Sequence, residues 1–277
     1  MEPLLRCDQV EISYHGRPIV QDISFHLLPD EILGIVGESG SGKSTLLKGI
    51  LGLLGPGGAV TKGSIWYKNK NLPNLPPKEL RKLCGKELGM VFQDSGSAFC
   101  PVRTIGAQIY ECMAAHGSYT KTEAMERGVG QMEKLGLPNP RQLLSRYPFE
   151  LSGGMVQRAG ICIAMLHHPS ILLADEPTSA LDAFIQRQVI DEMLLMRKLY
   201  HTSIILVTHH IGVVRAMADR ILVLKDGHIV ESGDTSEVLE HPASSYTKLL
   251  MASVPHLRRK SDEASPGSTK SDKNIFL

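Results

Sequence analysis

No apolar run in this 277-residue chain reaches membrane-spanning length: the longest uncharged stretch, Ala159 to Ala174, is interrupted by His167, His168 and Pro169. Charge of a single sign is missing as well. Thirty Lys and Arg stand against 29 Asp and Glu, a net charge of +1, which leaves neither a basic field for nucleic acid nor an acidic one. The five cysteines (Cys7, Cys84, Cys100, Cys112, Cys162) include no CxxC pair and no metal spacing, so they read as ordinary thiols of a reducing compartment. The opening MEPLLRCDQVEISY lacks a charged-then-apolar leader, and no internal repeat is visible. These absences predict a cytosolic chain that, if it serves a membrane, does so from outside the bilayer.

What is present is an α/β pattern. Residues 4–36 alternate like paired strands through Val10, Ile12 and Tyr14, then Ile23, Phe25 and Leu27, before the buried run ILGIVG. A glycine-rich turn and a helix from about Lys43 to Leu54 follow, then the proline-rich connector NLPNLPPKEL and a short strand, GMVFQ. From 94 to 168 the apolar spacing is helical. Strand signals return in SILLADE, SIILVTH and RILVLKD, separated by helices at 181–199 and 211–218. Such βα alternation predicts a mainly parallel sheet with helices on both faces. The helix after 181 places Ile185, Val189, Met193 and Met196 on one apolar face, which reads as core packing. The expected division is a core of 1–93 and 169–255, a helical insertion at 94–168, and a disordered polar tail at 256–277.

Gly37–Glu38–Ser39–Gly40–Ser41–Gly42–Lys43–Ser44 matches G-x-x-x-x-G-K-[ST] between a strand and a helix. Glycines let the backbone curl so that N–H groups converge on phosphate oxygens at a helix N-terminus. Lys43 would reach the β- and γ-phosphates of a nucleoside triphosphate, and Ser44 would ligate Mg²⁺. A plain glycine-rich turn explains the motif less well, because strand and helix flank it.

ILLADEP, residues 171–177, delivers two adjacent carboxylates at a strand end, where open α/β sheets bind ligands. Neighbouring strand residues face opposite ways, so the two should differ in role: Asp175 supporting Mg²⁺ and Glu176 polarising the attacking water. Alone, the pair could equally cap the next helix; beside a P-loop, catalysis is the better reading. Gln93 and His209 also end strands and could reach the γ-phosphate, although a lone Gln or His there is more often structural. His209 and His210 should point apart, and His167 and His168 should close a helix, where histidine complements the dipole.

A second glycine pair, Ser152–Gly153–Gly154, opens the helix of LSGGMVQR and is another anion-binding helix N-terminus. One triphosphate needs one such cradle, so the second points to somebody else's nucleotide.

The set GESGSGKST, VFQD, LSGGM-x-Q, ILLADEP, SALD and VTH, in this order, resembles the ATP-binding subunit of an ABC transporter over about residues 4–254. The resemblance implies a P-loop cassette with a mainly parallel sheet, an N-terminal antiparallel β subdomain and an inserted helical subdomain. Two such chains would sandwich two ATP molecules head to tail, Lys43 of one and Ser152–Gly154 of the other gripping the same γ-phosphate. It further implies that Tyr14 stacks on adenine, that Gly37, Ser39, Gly40, Ser41, Gly42 and Thr45 complete the phosphate cradle, and that Gln93 senses γ-phosphate and Mg²⁺. His209 would hold the γ-phosphate and water, Asp182 would couple the two sites, and SGSAFCPVRTIG would receive a coupling helix of a transmembrane subunit.

GIVGESGSGKST, RKLCGKELGMVFQ, YPFELSGGMVQR and HPASSYTKLLMASVP are similar to the di/oligopeptide and nickel importers. That implies a second, different ATPase, two permeases and an extracytoplasmic solute-binding protein as partners, at the cytoplasmic face of the membrane. Phe149, where peptide members often have His, leans toward nickel types. Ser95, Cys100, His210 and Ser245 also depart from the subfamily, in positions away from the phosphate chemistry. The tail lacks the cysteines of an iron–sulfur extension, so no cluster is expected. The rival is a soluble ABC ATPase acting on DNA or ribosomes; the near-zero charge, single cassette and lack of sustained heptads speak against it. A degenerate regulatory cassette is weaker still, since Lys43, Asp175, Glu176 and His209 are all present.

Overall fold

The computed structural model describes residues 2–179 and 181–252. Along the chain run β1 (Leu5–Tyr14), β2 (Arg17–Leu27), β3 (Ile32–Val36), α1 (Lys43–Leu51), β4 (Gly58–Tyr67), β5 (Lys70–Asn71), α2 (Pro77–Leu83) and β6 (Leu88–Val91). Five helices follow: α3 (Ser95–Ala98), α4 (Ile105–Ala114), α5 (Lys121–Lys134), α6 (Pro140–Leu143) and α7 (Gly153–Ala164). The chain then continues through β7 (Ile171–Asp175), α8 (Ala183–Tyr200), β8 (Ser203–Val207), α9 (Ile211–Met217), β9 (Arg220–Lys225), β10 (His228–Asp234), α10 (Thr235–Glu240) and α11 (Ser245–Ala252).

Two sheets result. One is antiparallel, in the order β2-β1-β4-β5; the other is six-stranded, β10-β9-β3-β8-β7-β6, parallel except for the β10–β9 hairpin. The β1–β2 and β9–β10 hairpins each turn through two residues at positive φ, His15–Gly16 and Asp226–Gly227, the backbone that suits the right-handed twist of the flanking strands.

Alternation along the parallel strands puts the larger sheet between two apolar cores. Ile32, Leu172, Ala174, Ile204 and Leu206 face one core, shared with Ile109, Met132 and Ile161 of the helical insertion. Leu33, Ile35, Leu173, Ile205 and Val207 face the other, shared with α1 and the antiparallel sheet. Strands buried on both faces read as unbroken hydrophobic runs, and β3, β7 and β8 do. The C-terminal ends of β3, β6, β7 and β8 therefore lie along one edge, with Val207 in register with both Ile35 and Asp175.

Several expectations need correction. The first long helix stops at Leu51, because Gly52 adopts φ 67 and Leu53 N–H closes back onto the Lys48 carbonyl at 2.8 Å, a Schellman-type stop. The proline-rich connector holds a 3₁₀ turn and α2, with prolines at first-turn positions where no N–H is missed. His167 and His168 lie beyond α7; the His168 ring stacks on Tyr200 at 3.9 Å and the His167 ring meets His116 edge-on at 5.1 Å. β4 and β10 carry pairings that the sequence patterns left unassigned. The polar tail at 256–277 lies outside the described residues. No described helix is long and apolar enough to cross a membrane.

Candidate functional site

The loop between β3 and α1 requires its glycines. At Gly37 the backbone has φ 154, and a Cβ would stand 2.1 Å from the Leu224 carbonyl oxygen. At Gly42 (φ 100) a Cβ would press on Val20 and the Ile19 carbonyl of β2. Ser39 and Gly40 are exposed at the tip of the loop, whereas Ser41 is buried and Thr45 half-buried. Lys43, buried at the start of α1, curls back to donate to the carbonyls of Gly37 (2.8 Å) and Glu38 (2.7 Å). Burial pushes its ammonium below the usual lysine range, against the pull of Glu176, Asp175 and Glu38.

Next to Lys43, Ser44 Oγ donates to Asp175 Oδ1 at 2.8 Å. The Asp175 carboxyl is raised by burial, with the Ser44 hydrogen bond pulling it down and Glu176 adding to the rise. A hydroxyl and a carboxylate set side by side form a hard oxygen donor pair, the chemistry that suits Mg²⁺.

Glu176 has left the strand: at φ 49 it occupies the left-handed region, its N–H held by Val207 O at 2.8 Å. A non-glycine residue there stores strain of the kind found at active sites. The turn sends its carboxylate to β8's end, where it accepts from His209 N–H (3.1 Å) and Thr208 Oγ1 (3.3 Å) and lies 2.8 Å from His209 Nδ1. Asp175 and Glu176 thus face different partners. Thr208 is fully buried and also accepts from His210 N–H at 3.0 Å; sequence reasoning passed over it.

The two histidines do not point apart. Their rings are 4.3 Å between centroids, because β8 ends at Val207 and strand alternation does not extend to residues 209 and 210. Burial lowers the His210 imidazole, helped by His209 and opposed by Glu176.

Other named residues stand elsewhere. Ser152 caps α7, accepting from Met155 N–H at 3.4 Å. Gly153 has open space around it, while a Cβ on Gly154 would come within 2.9 Å of Ile185 in α8. Asp182 caps that same helix by accepting from Ile185 N–H at 2.9 Å. Among the described residues, no hydrogen bond joins this second group to Lys43, Ser44, Asp175, Glu176 and His209. Gln93 is exposed, two residues past β6. Tyr14 donates to the Leu54 carbonyl at 2.7 Å, which sets its ring against the α1–β4 connection rather than on the P-loop.

Two further contacts had no sequence signal of their own. Arg158 of α7 and Glu192 of α8 form a buried ion pair, Arg158 also donating to the Leu135 carbonyl. Burial, outweighing Arg158, raises the Glu192 carboxyl to about 7. Tyr246 of α11 accepts from the Glu38 N–H at 3.0 Å.

Comparison with known proteins adds an independent line. Residues 20–179 match the family described as ABC transporter, and residues 230–275 match the C-terminal region of the oligopeptide/dipeptide transporters. The chain is 41% identical over 273 residues to the oligopeptide transport ATP-binding protein OppD of Bacillus subtilis, covering 96% of this chain and 76% of the relative. It is 38% identical over 240 residues to the metal-staphylopine import system ATP-binding protein CntD of Staphylococcus aureus, covering 87% and 88%. In three dimensions it is similar to the dimeric, ADP- and Pi-bound post-hydrolysis structure of the ATP-binding cassette MJ0796, with a TM-score of 0.74, 26% identity, and 83% and 98% of the two chains covered.

Proposed function

This chain belongs to the ABC transporter family, and we propose that it is the ATP-hydrolysing subunit of an importer for di- or oligopeptides, nickel or a metal chelate. It binds and hydrolyses ATP. The observation that carries the reading is the split of its phosphate chemistry into two groups. Lys43, Ser44, Asp175, Glu176 and His209 converge on one edge of the sheet, while the capped helix start at Ser152 stands apart, linked instead to the Asp182 helix.

In this reading Lys43 exchanges its loop carbonyls for the β- and γ-phosphates, with Gly37, Ser39, Gly40, Ser41, Gly42 and Thr45 as the backbone cradle. Ser44, Asp175 and Gln93 would hold Mg²⁺, which supplies positive charge to the phosphate oxygens. Glu176 takes the proton of the water whose oxygen forms the new bond to the γ-phosphorus, as the bond to the leaving ADP oxygen breaks. His209, fixed through Nδ1 by Glu176, presents its other ring nitrogen to the γ-phosphate. Tyr14 receives the adenine on its ring.

The partner's Ser152–Gly154 equivalent closes this site, and Ser152, Gly153, Gly154 and Asp182 of this chain serve the partner's. The partner is a second ATPase, a different chain. Where the proposed core, 1–93 with 169–255, meets the proposed helical subdomain 94–168 lies an apolar groove of about 480 Å³, lined by Leu51, Val91 and Phe92 on one side and by Phe99, Cys112 and Ile163 on the other. That groove suits the coupling helix of one of two transmembrane permeases, which would hold the chain at the cytoplasmic face and connect it to an extracytoplasmic solute-binding protein.

Tagging the chain in its own cell, extracting in mild detergent and identifying the co-purifying proteins by mass spectrometry tests this reading. Two permeases and a second ATPase are expected. Ribosomal or DNA-bound proteins without a permease would overturn it.

A further inference from the structure

The peptide unit joining Gly37 to Glu38 is gripped at both ends. Its carbonyl accepts from Lys43 Nζ at 2.8 Å, and its N–H donates to the Tyr246 hydroxyl at 3.0 Å, across 208 residues of sequence. The next carbonyl, that of Glu38, takes a second Lys43 proton at 2.7 Å. Tyr246 is itself fixed: its ring is buried, and the Lys225 ammonium lies over it at 5.1 Å. Burial holds its phenol above the usual range, so it remains a neutral hydroxyl.

The consequence is orientational. Without nucleotide the peptide plane is held on one side by Lys43 and on the other by Tyr246; once Lys43 turns to the phosphates, the Tyr246 hydroxyl is the contact that still fixes the Glu38 N–H. The only feature that a phenylalanine would lack at this position is the oxygen on Glu38. Tyr246 lies within residues 230–275, the stretch that matches the C-terminal region of the peptide transporters, and outside the match to the cassette, residues 20–179.

We propose that Tyr246 is a positioning residue of the nucleotide site, through which the C-terminal region sets how tightly the P-loop holds ATP. The proposal rests on the ATP reading of the site. Its test is a fluorescence titration of trinitrophenyl-ATP into the full chain, its Tyr246→Phe variant and its Lys43→Ala variant, with thermal unfolding of each measured without nucleotide. Freeing the Glu38 peptide weakens nucleotide binding by Tyr246→Phe about three- to tenfold, while the unfolding midpoint falls by only about 2–4 °C, the share of one lost hydrogen bond. An unchanged Kd overturns the proposal, and so does a lowered midpoint with an unchanged Kd, which would mean a structural role only. Hydrogen exchange at the Glu38 amide gives a second reading on the unaltered chain: slow exchange is expected, and exchange at the rate of an exposed peptide overturns the tether. A wild-type chain that binds no nucleotide, or Lys43→Ala binding like wild type, would instead remove the ATP reading itself.

Discussion

Ser44 Oγ and Asp175 Oδ1 meet at 2.8 Å although 131 residues separate them. The contact joins the N-terminus of α1 to the end of β7, and with Lys43 and Glu176 beside it the proposed phosphate site is assembled from parts that no single motif contains.

Replacing Asp175 by Ala removes both the Ser44 acceptor and the carboxylate proposed for the metal. Hydrolysis should fall about 10²- to 10³-fold, with ATP binding in EDTA nearly unchanged. Phosphate release and calorimetric titration measure the two quantities. A loss of EDTA-resistant binding equal to the loss of rate would argue against a role confined to the metal.

Glu176→Gln should lower phosphate release by about 10²- to 10⁴-fold while retaining ATP affinity. It also exchanges a carboxylate acceptor of Thr208 and His209 for an amide. Turnover at the wild-type rate in the assembled transporter would remove Glu176 as the base.

Gly37→Ala forces a Cβ toward the Leu224 carbonyl at 2.1 Å in a backbone conformation with φ 154. The variant should lose about 1–3 kcal/mol of stability and its affinity for nucleotide, both visible in thermal unfolding with and without ATP. Wild-type binding by this variant would contradict the loop geometry.

Much of this site was legible in the sequence because each of its parts is a short contiguous motif. The P-loop, the ILLADEP strand and LSGGMVQR each carry their own local geometry, and parallel pairing brings the strand ends to one edge. Where the reading failed, a strand rule was carried past a strand's end: β8 stops at Val207, and so the side-by-side rings of His209 and His210 were missed. The stop of α1 was hidden because GLLGPGG offers four glycines and only packing selects Gly52. Asp226–Gly227 did announce the β10 hairpin and was passed over. Arg158 and Glu192 are charged positions that a helical pattern assigns to solvent, yet α7 and α8 bury them against each other. Tyr246–Glu38 joins the two ends of the chain and has no local pattern at all.

The Arg158–Glu192 pair carries a pH prediction. The Glu192 carboxyl, ordinarily at 4.5, stands at about 7 in the folded chain, so over that interval the unfolded chain gives up the proton more readily than the folded one. The stabilising contribution is complete below about 4.5 and declines as pH rises to about 7. Stability of the wild type relative to Glu192→Gln should therefore fall across that window and be flat on either side, as urea unfolding at a series of pH values would record. A relative stability that rises across the window would reverse the assignment.

The central claim, that the group around Lys43 and the group around Ser152 serve two different nucleotides, is tested most directly by sedimentation velocity. The Glu176→Gln chain is mixed with its co-purifying second ATPase, with and without ATP, and the same is done with Ser152→Arg added. The account predicts that ATP converts the two chains into a 1:1 pair and that Ser152→Arg blocks pairing while this chain still binds ATP. Pairing that ignores ATP, or that survives Ser152→Arg unchanged, would contradict it.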